Sequence, residues 1–341
     1  MQRICATLQA TSKWEVTLIG RKLKNSMPVE NTAFKTKRLV LPFNKGKLFY
    51  ASICVRYFLF GLFRKFDLIC SIDADTIFPC HFLCKLKRAI HVHDAHELFT
   101  QVPELIGRKF EQRVWNKIEA IGFKSVKMFY TVSAGLAEYY SQHFEKGEII
   151  RNLPYKKEIE TTIEKQYDVI YQGAINKGRG ILELIEASQI ENFTVCIVGN
   201  GDIVNEVKAR MSKCKQITYL EAIHPSLLHS ITQQGKIGFN ALENSSKSYD
   251  ESLPNKTFDY MMAGIPQIIS NSKALIQLNK ELEIALVCNL NAKDIAEKIR
   301  ILLDDKVLYK QLQINAIKAS ETYNWEHESK KLKAIYKKFE I

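Results

Sequence analysis

The sequence predicts an α/β protein with parallel sheets and two domains. Short apolar runs alternate with amphipathic stretches along the chain, a pattern typical of parallel strands connected by helices. The alternation is interrupted once, by a mixed-charge run that contains Pro154 and extends over residues 151–165. The chain has 341 residues, enough for two domains of roughly 100–200 residues each. We therefore expect one domain over residues 1–155, a second over 156–324 and a terminal helix over 325–341.

The elements of the first half follow from its apolar runs. The chain begins in a helical stretch, and a second stretch at residues 48–66 is apolar and aromatic but interrupted by Arg56. This second stretch falls short of the ~20 apolar residues that a membrane span needs. It is interpreted as a core helix, with one alternative, an interfacial helix that places Arg64 and Lys65 among lipid headgroups. Strands are expected at 16–20, 39–43, 67–72, 89–93 and 128–132, and further helices at 105–121 and 134–144.

The second half repeats the alternation with shorter and more apolar strands. Two of its strands are followed by glycine-containing turns, which are typical of strand-to-helix connections. Strands are expected at 168–171, 194–199, 217–220, 236–240, 266–269 and 285–288. Helices are expected at 180–188, 203–211, 226–232 and 294–303, with a basic amphipathic helix at 325–339.

The composition is that of a globular protein, with 46% apolar and 25% charged residues. The eight cysteines are scattered, and none has the spacing of a zinc site. Reduced thiols in the cytosol are therefore expected. The N-terminal residues contain no uninterrupted apolar run of the kind found in signal peptides. Together these observations predict a cytoplasmic protein without a bound metal.

The charge is distributed unevenly. Residues 1–155 contain 24 Lys and Arg against 13 Asp and Glu, whereas residues 156–341 contain 25 against 24. A basic first half favours an acidic partner, which would be anionic lipid headgroups, a phosphorylated acceptor or nucleic acid. A solvated basic surface without a partner is the alternative. No recognised nucleic-acid-binding module is visible, so we expect no nucleic-acid partner and favour an anionic membrane surface.

Two carboxylates in the second half have the most informative spacing. Glu251 is followed after seven residues by Asp259, and then by Gly264, Pro266 and a buried-strand pattern. Pro254 suits the first turn of a helix, because its missing N–H would be unpaired there. Gly264 suits the end of that helix, because glycine adopts positive φ readily. The segment therefore predicts a loop, a helix whose N-terminus can accept an anion, and a strand.

This segment resembles the donor-binding signature of retaining GT-B glycosyltransferases, family 4 in particular, in which Glu-x7-Glu precedes a small residue, Gly-x-Pro and a strand. The resemblance implies that Glu251 lies near the transferred sugar and that Asp259 hydrogen-bonds the nucleotide ribose. Asp259 replaces the usual second Glu, which shortens the reach of the carboxylate by one methylene. Further donor-binding residues implied by the same segment are Ser252, Leu253 and Lys256.

The resemblance also implies the GT-B fold, two Rossmann-like domains that face each other across a cleft. Members usually open with a strand and a glycine-rich turn before the first helix. This chain begins within what resembles that helix, so the first strand of the N-terminal domain is expected to be missing. The terminal helix at 325–341 is expected to cross back towards the first domain.

The turn after the strand at 168–171 is the candidate site for a diphosphate. Its glycines, Gly173 among them, let the backbone approach a ligand, and the following helix adds partial positive charge. The family places two basic residues here against the leaving diphosphate. Arg179 matches the second of them, whereas the first reads Ala174. Lys177 is expected to share the role.

A second turn contains Gly199 and Gly201 and resembles the Gly-x-Gly that the family places near the nucleotide. The motif is weak by itself, because many tight strand-to-helix turns contain it. The two glycines are therefore predicted to bind the donor because of their position beside the other turns.

The first half contains a cluster of three histidines and two acids over residues 91–97. These residues do not share a helix face, and no second cluster supplies further ligands, so no metal site is expected. The segment resembles the family's His-Asp loop, and His96 matches the histidine that contacts the donor sugar and faces the acceptor. Asp94 and Glu97 would orient His96, whose ordinary pKa near neutrality suits proton exchange. A purely structural histidine is the alternative.

The resemblance therefore implies a retaining glycosyltransferase that moves a sugar from a nucleotide-diphosphate sugar to a glycan or lipid-linked acceptor, in polysaccharide or lipopolysaccharide biosynthesis. No metal or other cofactor is expected. The predicted catalytic residues are His96, Glu251 and Arg179, with the leaving diphosphate held by Arg179 and by the backbone N–H groups of residues 251–253. The enzyme would be cytoplasmic and peripheral at the inner face of the membrane. The alternatives are a GT-B sugar-nucleotide epimerase and a degenerate, non-catalytic GT-B binding module.

Overall fold

The chain divides into two compact α/β units. The computed structural model describes residues 1–24, 26, 32–102, 105–144, 147–160, 162–212 and 214–340. The first unit comprises Met1–Arg151 and His327–Ile341, and the second comprises Asn152–Glu326. All strand pairs described are parallel. The predicted class, α/β with parallel sheets, is confirmed.

The first unit contains a parallel strand pair, β1–β2, and a four-stranded parallel sheet in the order β3-β4-β5-β6. Its strands are β1 (Thr17–Lys22), β2 (Lys35–Val40), β3 (Leu68–Ile72), β4 (Ile90–Ala95), β5 (Val126–Thr131) and β6 (Glu148–Ile149). Its helices up to Arg151 include α1 (Gln2–Gln9), α2 (Gly46–Leu62), α3 (Asp73–Lys87), α4 (Lys109–Phe123) and α5 (Ala134–Tyr140).

The second unit is built on one six-stranded parallel sheet in the order β12-β11-β10-β7-β8-β9. Its strands are β7 (Tyr167–Gln172), β8 (Val195–Val198), β9 (Ile217–Leu220), β10 (Gly235–Asn240), β11 (Gln267–Ser270) and β12 (Ala285–Cys288). Its helices include α6 (Ile181–Glu191), α7 (Val204–Met211), α8 (Pro225–Gln233), α9 (Lys247–Asp250), α10 (Asn255–Met262), α11 (Lys273–Leu282), α12 (Ala292–Asp304) and α13 (Lys306–Ser320).

The central strands of this sheet are covered on both faces. All four residues of β8 and all four of β11 are buried, which explains their continuous apolar runs in the sequence. In an open parallel sheet the ligand site lies beyond the carboxyl ends of the strands. The turns after β7, β8, β10 and β11, four neighbouring strands, therefore position the candidate site.

The C-terminal helix α14 (Trp325–Lys337) continues from the second unit into the first. Tyr336 is buried, and its hydroxyl lies 3.4 Å from the hydroxyl of Tyr130 in β5. The Glu328 carboxylate accepts a hydrogen bond from the backbone N–H of Arg151 at 2.7 Å. The last residues of the chain are thus part of the first unit.

Two predictions for the first unit are wrong. The strand expected at 39–43 is β2, which begins at Lys35 and pairs with β1 in a two-stranded sheet. Its basic residues interrupt the apolar pattern from which strands were predicted. The stretch at 48–66 contains α2, but only Ser52, Ile53 and Gly61 of this helix are buried. It is therefore not a core helix. No helix within the described ranges has the length and apolarity that crossing a bilayer requires.

Candidate active site

The turn between β7 and α6 has a backbone that favours glycine. Gly173 opens it with a φ of +121°, a conformation that L side chains rarely adopt. Gly180 closes it as the N-cap residue of α6. Lys177 is exposed on this turn, and its backbone N–H donates to the Asp202 carboxylate at 3.2 Å. The turn lines a pocket of about 470 Å³, a volume typical of small-ligand sites.

The turn after β8 packs directly on the first turn. A Cβ atom at Gly199 would lie 1.9 Å from the carbonyl oxygen of Gly173, and one at Gly201 would lie 2.2 Å from that of Ile175. The N–H of Gly173 also donates to the carbonyl of Val198 at 3.0 Å. Close approach of the two turns therefore requires both glycines whether or not a ligand is bound. Their contact with a donor stays a prediction.

Arg179 is held against an aromatic ring. Its guanidinium carbon lies 5.1 Å from the centroid of Tyr249 in α9, an attractive arrangement of a cation over a ring face. Its Nε atom is buried and has no hydrogen-bond partner within the described part of the chain. Arg179 also lines the pocket beside the turn, so this cation is available to a ligand there.

Lys256 is the most unusual side chain of the second unit. It is 7% exposed in the first turn of α10, with Nζ 3.8 Å from the centroid of the Tyr171 ring. Its Nζ atom has no hydrogen-bond partner among the described residues. Burial, and then the positive charge of Arg179, hold the pKa of Lys256 well below its usual range. Its Cε would lie 4.0 Å from a Cβ atom at Gly173, so Lys256 and Arg179 converge on the same turn.

Glu251 is the C-cap residue of α9 and is 5% exposed. Its carboxylate accepts a hydrogen bond from Nζ of Lys273, the first residue of α11, at 2.7 Å. The adjacent carboxylate of Asp250 accepts from the backbone N–H of Lys273 at 2.7 Å. The loop after β10 is thus attached to the loop after β11, which fixes the Glu251 carboxylate at the edge of the sheet.

The backbone at residues 251–253 corrects one prediction. The N–H of Glu251 donates to the carbonyl of Lys247, and the N–H of Ser252 donates to that of Tyr249. These two groups complete the last turn of α9 and are not available to a diphosphate. Of the three backbone N–H groups, only that of Leu253 donates no hydrogen bond within the described ranges. The Leu253 side chain packs on a core cluster that includes Phe258.

Asp259 lies on α10 and faces the end of β7. The side-chain NH₂ of Gln172 donates to its carboxylate at 3.1 Å, and the hydroxyl of Thr232 donates to the Gln172 carbonyl oxygen at 2.6 Å. The chain Thr232–Gln172–Asp259 orients this carboxylate beside the turn that begins at Gly173.

In the first unit, His96 follows β4 and is tied to two carboxylates. Its Nε2 lies 3.1 Å from an oxygen of Asp94, which is 1% exposed. The pair forms an ion contact without the alignment of a hydrogen bond, since these atoms have no well-formed partner among the described residues. The backbone N–H of His96 donates to the Asp73 carboxylate at 2.7 Å. Burial alone would lower the pKa of His96, but the negative charges of Asp94 and Asp73 raise it.

The comparisons with known proteins can now be set beside this geometry. Residues 155–319 match the family model described as "Glycosyl transferases group 1". Sucrose-phosphate synthase from Thermosynechococcus elongatus is similar in structure, with a TM-score of 0.80 and 15% identity over 98% of this chain and 91% of that chain. No curated protein matches the sequence.

Two further solved structures extend the comparison. HepE of Anabaena, in complex with UDP and glucose, has a TM-score of 0.74 and 12% identity, over 98% of this chain and 95% of that chain. Trehalose-6-phosphate synthase, studied for glycosyltransfer with retention, has a TM-score of 0.70 and 9% identity, over 98% and 96%. The chain has the GT-B fold. Its second unit contains the group 1 domain, which makes it a glycosyltransferase domain.

Several residues that hold the predicted side chains in place, within one unit or the other, were not predicted from the sequence. Each of them contacts a predicted residue, Thr232 through Gln172, and belongs to a different helix, strand or loop from that residue. Each is brought to its partner by the fold, so no local spacing signals it. They are Gln172 and Thr232 beside Asp259, Tyr171 beneath Lys256, Tyr249 beneath Arg179, Lys273 beside Glu251 and Asp73 beside His96.

The remaining histidines of the predicted cluster belong to a buried polar chain. Ser71 Oγ lies 2.9 Å from His91 Nε2 and 2.8 Å from His93 Nδ1, and Ser125 Oγ lies 2.6 Å from His91 Nδ1. Within the described ranges, no group of three His, Cys, Asp or Glu side chains is arranged to hold a metal ion. His91 and His93 are thus structural, and the role of His96 stays a prediction.

The three histidines are expected to titrate in separate pH ranges. Burial and then the charge of His81 lower the pKa of His91 to about 4, and burial and then the charge of His91 lower that of His93 to about 3. Each imidazole therefore destabilises the fold as the pH falls below 6.5, because the unfolded chain binds the proton first. A ¹⁵N NMR titration should show both neutral at pH 5 while His96 stays protonated at pH 7. Asp94→Asn should shift the His96 titration towards lower pH; an unchanged His96 would contradict the ion contact.

Proposed function

We propose that this GT-B glycosyltransferase transfers a sugar from a nucleotide-diphosphate sugar, with retention of configuration, to a glycan or lipid-linked acceptor. The group 1 match of the second unit supports a nucleotide-sugar donor. HepE with bound UDP and glucose, and trehalose-6-phosphate synthase with its retaining transfer, support the donor class and the stereochemistry. These relatives are remote in sequence, so the proposal rests mainly on the site.

The observation that carries the proposal is the buried amine of Lys256, which has no hydrogen-bond partner among the described residues. A buried lysine without a hydrogen-bond partner is unfavourable unless a counter-charge arrives. Its neighbour Arg179 has the same sign, so the two cations repel one another until an anion binds between them. A sugar-nucleotide diphosphate carries two negative charges and is of a size to contact both. We therefore propose that these two side chains form the site of the leaving diphosphate.

Each residue then has a role in the reaction. Arg179 and Lys256 neutralise the charge that develops on the diphosphate as the glycosidic bond breaks. Glu251, fixed by Lys273, stabilises positive charge at the anomeric carbon, and Asp259 binds the ribose hydroxyls. The released phosphate oxygen accepts the proton of the acceptor hydroxyl on the same face, which gives retention. His96, kept protonated by Asp94, donates a hydrogen bond on the acceptor side.

Nucleotide binding gives the first test. UDP or GDP, and one of their sugars, should raise the melting temperature of the wild-type protein, because a ligand that binds only the native state stabilises it. Arg179→Ala should abolish most of the shift and most sugar transfer, while Arg300→Ala, which removes an arginine paired with Glu191, should leave both unchanged. Full transfer by Arg179→Ala would exclude Arg179 from the site.

The proposal includes a reaction without a divalent metal, since Lys256 and Arg179 supply the positive charge. The transfer rate should therefore be the same with and without EDTA. A loss of most activity in EDTA that Mg²⁺ or Mn²⁺ restores would show that the two cations do not suffice to neutralise the diphosphate.

A further inference from the structure

Helix α2 exposes an apolar stripe in the first unit. Leu48, Val55, Leu59 and Phe63 follow one another at intervals of seven and four residues, so they share one side of the helix. They are 59%, 56%, 47% and 82% exposed. Only three of the 17 residues of α2 are buried. A helix that is apolar on its solvent side requires a partner, because water is the least favourable neighbour for such a surface.

The stripe continues onto two neighbouring helices. Helix α3 packs against both α2 and α4, so the exposed sides of the three helices are neighbours. Phe82 and Leu86 are exposed on α3, and Phe110 and Val114 are exposed on α4. We call the outer surface of α2, α3 and α4 the basic apolar face.

The charges of this face are mainly positive. Helix α2 contains no Asp or Glu, and of the four carboxylates of α3 and α4, Glu111 pairs with Lys47 at 3.3 Å and the other three are at least partly buried. The same helices expose four cations, Arg56 on α2, Lys85 on α3 and Arg113 and Lys117 on α4, and Lys65 is exposed three residues after α2. Apolar side chains surrounded by cations match the chemistry of an anionic bilayer surface, in which acyl chains lie beneath negative headgroups.

We propose that the basic apolar face binds an anionic lipid membrane surface. The proposal deepens the proposed function, on which it rests, by placing the glycosyltransferase where a lipid-linked acceptor is found. The apolar side chains enter the headgroup region, and the cations contact lipid phosphates and carboxylates. A second copy of the chain fits this face poorly, because two surfaces of the same positive sign repel one another.

Vesicle sedimentation of the full chain tests the proposal. The protein should sediment with vesicles of phosphatidylcholine mixed with phosphatidylglycerol, and not with phosphatidylcholine alone, and added salt should release it. Phe63→Glu should reduce binding by about tenfold or more, since it removes a large apolar group and adds repulsion. Val307→Glu is the matched control: Val307 is also 82% exposed but lies on α13, and binding should be unchanged.

The cations are tested separately. The triple variant Arg56→Gln/Lys65→Gln/Lys85→Gln should lose about fivefold in binding for each cation, roughly 100-fold in all. Lys280→Gln/Lys293→Gln/Lys310→Gln, which changes three exposed lysines of the second unit, should bind normally. Equal binding to both vesicle types, no vesicle binding, or dimerisation that Phe63→Glu abolishes would each overturn the proposal. The nucleotide-induced rise in melting temperature should persist in Phe63→Glu. If the rise is present while vesicle binding is absent, the membrane proposal fails and the donor-site proposal does not.

Discussion

Replacing Lys256 by methionine is expected to abolish most sugar transfer and, at the same time, to stabilise the free protein. Methionine has nearly the same shape and retains the contact with the Tyr171 ring. Affinity for the diphosphate should fall about 30- to 1,000-fold, because removing one member of a buried charge contact costs ~2–4 kcal/mol. The melting temperature without ligand should rise by about 2–4 °C, because the variant no longer buries an unpaired amine.

Lys165 provides the matched control for this substitution. It is also a partly buried lysine of the second unit, but its Nζ donates to the carbonyls of Gln233 at 2.7 Å and Gly235 at 3.0 Å. Lys165→Met should therefore lower the melting temperature, since it leaves two carbonyls without a donor, and it should leave nucleotide affinity unchanged. If Lys256→Met instead destabilised the free protein and left affinity intact, Lys256 would be a structural lysine.

Glu251→Gln is expected to slow the chemical step of sugar transfer, the second of the two large effects. The amide retains the size of the carboxylate but loses the negative charge that, in the proposed mechanism, faces the anomeric carbon in the transition state. We expect kcat to fall by about 10²- to 10³-fold, with donor affinity changed by no more than a few-fold. The fold should persist, because Lys273 is half exposed and is solvated when its partner is lost. Single-turnover rates with saturating donor give the measurement.

Asp250→Asn separates this effect from damage to the loop. Asp250 is the residue next to Glu251, and asparagine still accepts the hydrogen bond from the Lys273 N–H. Its transfer rate should be within a few-fold of the wild type. A comparable loss in both variants would mean that Glu251 acts by holding the loop rather than by its charge.

The second unit was the more predictable part of the fold. Its strands β9 and β12 lie at the predicted residues, 217–220 and 285–288, because strands buried on both faces have continuous apolar runs between polar turns. Gly264 ends α10 with a φ of +62° as predicted. In contrast, α3 was missed, because it contains Pro79 in its interior, which sequence analysis treats as a helix breaker.

The site was predictable only where function lies in consecutive residues. The turn from Gly173 to Arg179 could be proposed as part of the site because glycines and cations follow a strand. The burial of Lys256 could not, since it depends on how α10 packs over Tyr171. Lys273 is 22 residues from Glu251 in the chain, and only the pairing of β10 with β11 brings the two loops together. Side chains that orient a catalytic group leave no local pattern.

Isothermal titration of UDP and GDP into the wild type and into Lys256→Met tests the central claim most directly, namely that Lys256 and Arg179 hold the donor diphosphate. Lys256 has a lowered pKa in the free protein and regains its proton beside an anion. At alkaline pH, wild-type binding should therefore take up protons, seen as a heat that varies with the ionisation enthalpy of the buffer, and Lys256→Met should bind weakly without uptake. Equal affinities and equal, buffer-independent heats in the two proteins would contradict the account.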